Sequence, residues 1–327
     1  MPQPPSTAVT SAGPAPAPFT SPLTGVVPPL CTPLTPDGEV DTASLRALVE
    51  RQVEAGVNGL FALGSSGEAA HLSDRMRRVA LRTVVDAARG RVPVLAGVIE
   101  TTTSRVIDQA QAAAGERADA LVATAPFYTR THPAEIAAHF RLVHQAVPLP
   151  LFAYDIPVAV HTKLAAATVR ELAEDATLTG LKDSSGDDGA LRRLLVDLRH
   201  RGLLDRFSVL TGSELAVDGA LLAGVHGVVP GLGNVDPDGY VRLYRHARAG
   251  RWAEAAAEQD RLAALFALTE VGPEADMGRN SSAIGGFKSA LHQLGILASP
   301  TTAPPQVPLG PASVLAVRGL LKEAGLL

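Results

Sequence analysis

The sequence predicts an α/β fold, a TIM (β/α)8 barrel with a C-terminal helical appendage, on three observations. From Gly25 onward, short β-branched or aliphatic runs alternate with longer Ala/Leu/Arg segments of helical period. Eight such pairs fit into about 225 residues, a count that a barrel requires and an open doubly wound sheet does not. After about residue 250 the strand-like runs stop and only helical patterns follow.

Residues 1–22, MPQPPSTAVTSAGPAPAPFTSP, precede the first run and are rich in Pro, Ala, Ser and Thr. The first basic residue of the chain is Arg46, so this stretch has neither the charged start nor the apolar centre of a signal peptide and reads as a disordered leader. Strands are expected near 26–31, 57–62, 92–98, 119–124, 149–154, 178–182, 207–211 and 225–229. Pro28 and Pro29 weaken the first, because proline cannot donate to a ladder. Helices are expected near 42–54, 73–89, 103–115, 133–146, 162–174, 187–201, 213–222 and 237–249, with Asp41, Ser73, Pro133 and Asp187 as caps or first-turn residues. The barrel thus occupies 23–250. Three further helical stretches, with the linker ASPTTAPPQVPLGP between the last two, occupy 251–327 and are expected to pack on the barrel, since some 75 residues offer little core of their own.

Composition narrows the function classes. A formal charge of −4 and mixed charge signs leave no basic field for nucleic acid, and no uncharged apolar run approaches the length of a membrane span. The single cysteine, Cys31, excludes an internal disulfide framework and suits a reducing, cytoplasmic setting. Small-molecule chemistry is favoured.

In a barrel that chemistry gathers at the carboxyl ends of the strands. Of only four lysines, Lys163, Lys182, Lys288 and Lys322, Lys182 alone ends a strand-like run, in TGLKDSSG. A free lysine amine is only about 0.04% neutral at pH 7, so a nucleophilic lysine needs a tuned setting; a lysine that closes a strand and snorkels to solvent has the same local pattern. After the second strand, Gly64-Ser65-Ser66-Gly67 can offer hydroxyl and backbone N–H donors to a carboxylate or phosphate, or can be a turn without a ligand. Tyr128 in APFY and Tyr154 in YDIP follow successive strands, and a phenol in a polar site is a suitable proton shuttle, though strand-end packing explains such tyrosines equally.

In this order, GVVPPLCTPLTPDGEVD, GSSGE, VPVLAGV, APFY, YDIP, GLKDSSGD and the GFKSALHQLGI helix resemble the pyruvate-dependent class I aldolases and lyases, the family of dihydrodipicolinate synthase, N-acetylneuraminate lyase and 2-keto-3-deoxygluconate aldolase. The resemblance runs over essentially the whole chain from Gly25. It implies that Lys182 forms a Schiff base with pyruvate, that Ser65, Ser66 and the backbone around Gly67 hold the pyruvate carboxylate, and that Tyr154 moves protons. It implies that Tyr128 reaches across a dimer interface into a neighbouring site, in a homo-oligomer that is a dimer or a dimer of dimers. No cofactor or metal is then needed, because the iminium is the electron sink. Segments holding Glu214 and Val229 lie where family members contact the second substrate. Glu214 can accept hydrogen bonds from sugar hydroxyls or can simply start a helix.

Departures bear on that second substrate, an aldehyde. Dihydrodipicolinate synthases usually carry an arginine two residues after the proline of this strand-five motif. Here Pro157 is followed by Val158 and Ala159, with His161 and Lys163 as the nearest replacements. Ser65-Ser66 stands for the usual Thr-Thr, Asp155 for an asparagine and Phe127 for a tyrosine. These changes point to a lyase that cleaves or forms a 2-keto-3-deoxy sugar acid. The synthase is the alternative, followed by a keto-deoxy sugar-acid dehydratase and a non-catalytic keto-acid-binding paralogue. A metal-dependent aldolase is disfavoured, since the nine histidines show no HxH or HxxxH spacing and His139 and His144 are five apart.

Overall fold

The computed structural model describes Phe19 and residues 21–327. The leader expected over 1–22 therefore falls almost wholly outside the described residues. Eight parallel strands, β1 (Gly25–Val26), β2 (Leu60–Ala62), β3 (Val94–Gly97), β4 (Ala120–Thr124), β5 (Leu151–Asp155), β6 (Gly180–Asp183), β7 (Ser208–Thr211) and β8 (Gly227–Val228), pair in the order β1-β8-β7-β6-β5-β4-β3-β2. The chain end that follows β1 closes the cylinder against β2: Asn58 N donates to Val26 O at 2.8 Å, Phe61 N to Pro28 O at 3.0 Å and Leu30 N to Phe61 O at 2.8 Å. The fold is the TIM barrel that the alternating pattern predicts.

Strand alternation sorts the interior into two shells. Ala120, Val122, Phe152, Tyr154, Leu210, Val27, Phe61, Leu95 and Val229 fill the barrel, with Phe19 resting edge-on against Phe152 at a centroid distance of 6.0 Å. Their strand neighbours Leu121, Ala123, Leu151, Ala153, Leu181 and Val209 face outward into the larger core beneath the helices. A single inward-facing row on adjacent strands thus carries Thr124, Tyr154 and Lys182 at one height, for Thr124 pairs in register with Tyr154 and Tyr154 with Lys182.

Most strands are shorter than expected, and three boundary changes have a clear local cause. The first strand shrinks to two residues because Pro28 and Pro29 have no N–H to offer, although the Pro28 carbonyl still accepts. The helix expected over 162–174 begins only at Ala166 and runs to Glu174, and a short helical turn at Pro157–Val160, ended by His161 in a left-handed backbone (φ 56°), precedes it. The helix expected over 213–222 begins only at Val217, where Gln259 of the helix Trp252–Phe266 accepts from Val217 N at 2.9 Å and donates to Glu214 O at 2.9 Å. Helices at Trp252–Phe266, Arg279–Gln293 and Pro311–Glu323 follow, as the periodicity predicts. Among the described residues, no helix is long and apolar enough to cross a membrane.

Candidate active site

Lys182 stands near the carboxyl end of β6, pointing into the barrel, and is only 6% exposed. Its Nζ lies 4.0 Å from the centroid of the Tyr154 ring and 5.0 Å from that of Phe61. Gly212 leaves room beside it, and Gly180 leaves room for the Phe152 ring on the next strand. A Cβ on Gly180 would lie 2.3 Å from the Phe152 ring, and one on Gly212 would lie 2.0 Å from Ser184 Oγ and 3.3 Å from Lys182 Cε. An ordinary strand-end lysine that snorkels to water does not have this setting.

The turn after β2 brings a second group to the same place. Ser65 Oγ is 3.4 Å from Tyr154 OH, which joins the turn to the tyrosine already stacked on Lys182. Ser66 is half-buried beside it, and Gly67 is pinned by Thr32, whose hydroxyl donates to Gly67 O at 2.8 Å. A Cβ on Gly67 would meet Leu30 O at 3.0 Å, so the close approach of the turn to the barrel rim requires glycine.

Val229 is buried within the barrel, its N donating to Thr211 O at 2.8 Å. Glu214 does not start a helix. Its carboxylate folds back over the loop after β8, accepting from Leu232 N at 2.7 Å and from the buried Tyr240 hydroxyl at 3.2 Å. Burial raises its pKa to about 7, partly offset by those donors and by the positive charge of Lys182. Glu214 is thus a carboxyl poised to hold or release a proton near neutral pH, close to the amine.

Tyr128 is the exception. It sits in a left-handed backbone (φ 72°) and its side chain is 96% exposed, outside the cavity of its own chain. The structure brings together Lys182, Tyr154, Ser65 and Ser66, with Glu214 to one side; it does not bring Tyr128 to them.

A cavity of about 230 Å³ opens beside Ser65 and Tyr154. Ile99, Phe127, Ile156, Ala159 and Val160 are among its apolar lining, and Thr124, His71, Glu68 and Asn280 among its polar lining. Ala159, two residues beyond Pro157, lines it where a synthase arginine is expected. Neither replacement cation lines this cavity. The Lys163 ammonium is paired with the Asp155 carboxylate and lies 3.7 Å from Asp183, while His161 is solvent-exposed. This pairing also accounts for Asp155: its carboxyl pKa is raised by burial, and the Lys163 ammonium and Leu164 N work against that rise. The sequence held a signal for the pair, an acid in place of the usual asparagine and a lysine eight residues on. Nothing in it marked Thr124, whose buried hydroxyl has no hydrogen-bond partner among the described residues, or Asn280 from the helix Arg279–Gln293. Cys31 is fully buried, and its thiol is pushed up to about 12, which removes it from any nucleophilic role. Among the described residues, no group of three or more His, Cys, Asp or Glu side chains is placed to hold a metal ion.

The family profile described as the Dihydrodipicolinate synthetase family matches residues 22–324. The chain belongs to that family. Its members are class I, pyruvate-dependent lyases and aldolases, and the protein is an enzyme of that kind. It is 33% identical over 310 residues to a 4-hydroxy-tetrahydrodipicolinate synthase of Phenylobacterium zucineum, covering 93% of this chain and 98% of the relative. It is also 33% identical over 235 residues, 72% of this chain and 77% of the relative, to YagE of Escherichia coli K12, provisionally named a 2-dehydro-3-deoxy-D-gluconate aldolase. The crystal structure of YagE in complex with pyruvate superposes with a TM-score of 0.86 at 29% identity, covering 94% of this chain and all of that one. A dihydrodipicolinate synthase from Bacteroides thetaiotaomicron superposes equally, with a TM-score of 0.86 at 31% identity over 93% and 99% of the two chains.

Proposed function

We propose that the protein is a Schiff-base aldolase that joins pyruvate to a hydroxylated aldehyde, or cleaves the corresponding 2-keto-3-deoxy sugar acid. The observation that carries the choice of acceptor is the cavity wall at Ala159. With no arginine there and with Lys163 held by Asp155, an aldehyde bearing its own carboxylate finds no lysine or arginine among the described residues of the cavity wall, whereas a hydroxylated one finds Thr124, His71 and Asn280. The curated relatives named as 4-hydroxy-tetrahydrodipicolinate synthases favour the second reading, condensation of pyruvate with aspartate semialdehyde.

In the proposed reaction Lys182 Nζ attacks the keto carbon of pyruvate while Ser65, Ser66 and backbone N–H groups hold its carboxylate. Tyr154 OH, next to Ser65 Oγ, delivers the proton with which the carbinolamine hydroxyl leaves as water, giving the iminium. Loss of a methyl proton turns the iminium into an enamine. The enamine carbon attacks the aldehyde carbon, whose oxygen takes up a proton, and water then releases the product from Lys182. Cleavage is the reverse. Tyr128 is assigned to the site of a second copy of the chain, in a dimer or dimer of dimers working in the cytoplasm.

Borohydride added with pyruvate tests this directly. One reduced three-carbon adduct is expected, on the peptide holding Lys182, absent from Lys182→Ala, and an acceptor panel should rank hydroxyaldehydes above aspartate semialdehyde. Tyr154→Phe should slow turnover by about 10²-fold or more with little change in pyruvate affinity. An adduct on another lysine sinks the mechanism, and a preference for the semialdehyde sinks the acceptor assignment in favour of the synthase.

A further inference from the structure

The turn that carries Ser65 and Ser66 is bracketed by two non-glycine residues in left-handed backbone, Leu63 at φ 60° and Glu68 at φ 58°. Such conformations persist only where the surroundings over-determine them. Here the surroundings come from the far end of the chain. Glu68 is 1% exposed, and its Oε1 accepts from Ala303 N at 2.7 Å and from Gln306 Nε2 at 2.6 Å. Its Oε2 is paired with the ammonium of Lys288, and neither side chain has any exposed surface. Lys288 Nζ donates in addition to Thr301 O at 2.8 Å, and Asn280 Nδ2, from a cavity-lining residue, donates to Gln306 Oε1 at 3.1 Å. Thr301, Ala303 and Gln306 belong to the proline-rich strap between the last two helices.

A buried ion pair is a weak device for stability, since apolar side chains of similar volume often serve as well once desolvation is counted. What it does well is to fix one geometry. Glu68 follows Gly67 directly, so any displacement of its carboxylate moves the adjacent peptide, and with it the hydroxyls and N–H groups of the turn. We propose that Glu68, Lys288 and Gln306 form a positioning clip through which the C-terminal strap sets the Ser65–Ser66 turn to receive the carboxylate of the 2-keto-acid donor. The clip touches no reacting atom. It acts on donor affinity, and it makes the C-terminal segment part of the donor site. This rests on the assignment of Lys182 as the Schiff-base lysine and of the turn as its carboxylate holder.

The test compares wild type with two variants by borohydride capture of pyruvate, scored as the pyruvate concentration giving half-maximal capture and as the maximum reached. Gln306→Leu removes one donor and leaves the ion pair. Glu68→Gln combined with Lys288→Met removes both charges and leaves no buried charge without a partner. Each folded variant, judged by circular dichroism, is expected to need on the order of tenfold more pyruvate for half-maximal capture, with the maximum and kcat at saturating pyruvate close to wild type. A folded Gln306→Leu with wild-type half-saturation overturns the clip, even should the double variant fail to fold. So does a fall in melting temperature with half-saturation unmoved, which is the signature of a stabilising role alone. Absence of capture in the wild type is a distinct result, overturning the Lys182 assignment and the clip with it.

Discussion

At the scale of single residues, the most informative side chain beyond Lys182 is Glu214. Its position after β7 is legible in the sequence, but its partners are not, since Leu232 and Tyr240 approach from the loop and helix after β8. An acid whose pKa is higher folded than unfolded binds extra proton in the folded state. Its contribution to stability is therefore complete below its ordinary value of 4.5 and is lost as the pH rises through about 7. Gln at this position mimics the protonated form, so Glu214→Gln should melt at the wild-type temperature at pH 4.5 and about 2–4 °C above it at pH 8. A gap of equal size at both pH values would show that the carboxyl does not titrate in this window. Paired melts at each pH are needed because His139 runs the opposite way: burial lowers its pKa to about 4, so the stability lost on protonating it appears as pH falls through the same range.

At the scale of elements, backbone chemistry explains where strand and helix patterns end. Prolines cut the first strand short, a left-handed His161 ends a turn after β5 and breaks it from the next helix, and Gln259, distant in sequence, sets the start of the helix after β7. The break after β5 also frees Lys163 to reach Asp155, which is 1% exposed. Lys163→Met should leave that carboxyl unpaired and cost about 1–2 kcal/mol in urea unfolding. This is less than for a fully buried pair, because the Lys163 side chain is itself 38% exposed. Adding Asp155→Asn should recover most of the loss. A double variant that carries the summed cost of both changes would mean that the two groups do not act as a pair.

At the scale of the whole molecule, the proposed catalytic residues gather at one end of the barrel, with one of them turned away. Tyr128 is nearly fully exposed beside a site that contains Lys182, Tyr154 and Ser65. A second copy that inserts Tyr128 into its neighbour would cover that surface and complete both sites. Tyr128→Phe and Lys182→Ala, each nearly inactive, should regain turnover when unfolded and refolded together, because mixed dimers contain one site with both groups intact. Mixtures no more active than their parts, or a monomer of full activity by sedimentation, would remove the cross-subunit role.

The sequence by itself determined the barrel, because eight alternations of period-two and helical patterning admit few other ways of burying both faces of the strands. It singled out Lys182, Tyr154 and the Ser65–Ser66 turn, because reactive groups in this fold lie at strand ends and strand ends are local features. Which long-range partners meet follows only from the closed barrel: that Ala159 and Asn280 line one cavity, that Glu214 is bound by the loop after β8, and that Lys288 locks Glu68 beneath the strap. The physical reason is separation. Each of these contacts is set by which charged or polar groups meet once the chain has closed, and the last joins residues about 220 apart, across which no local pattern carries information.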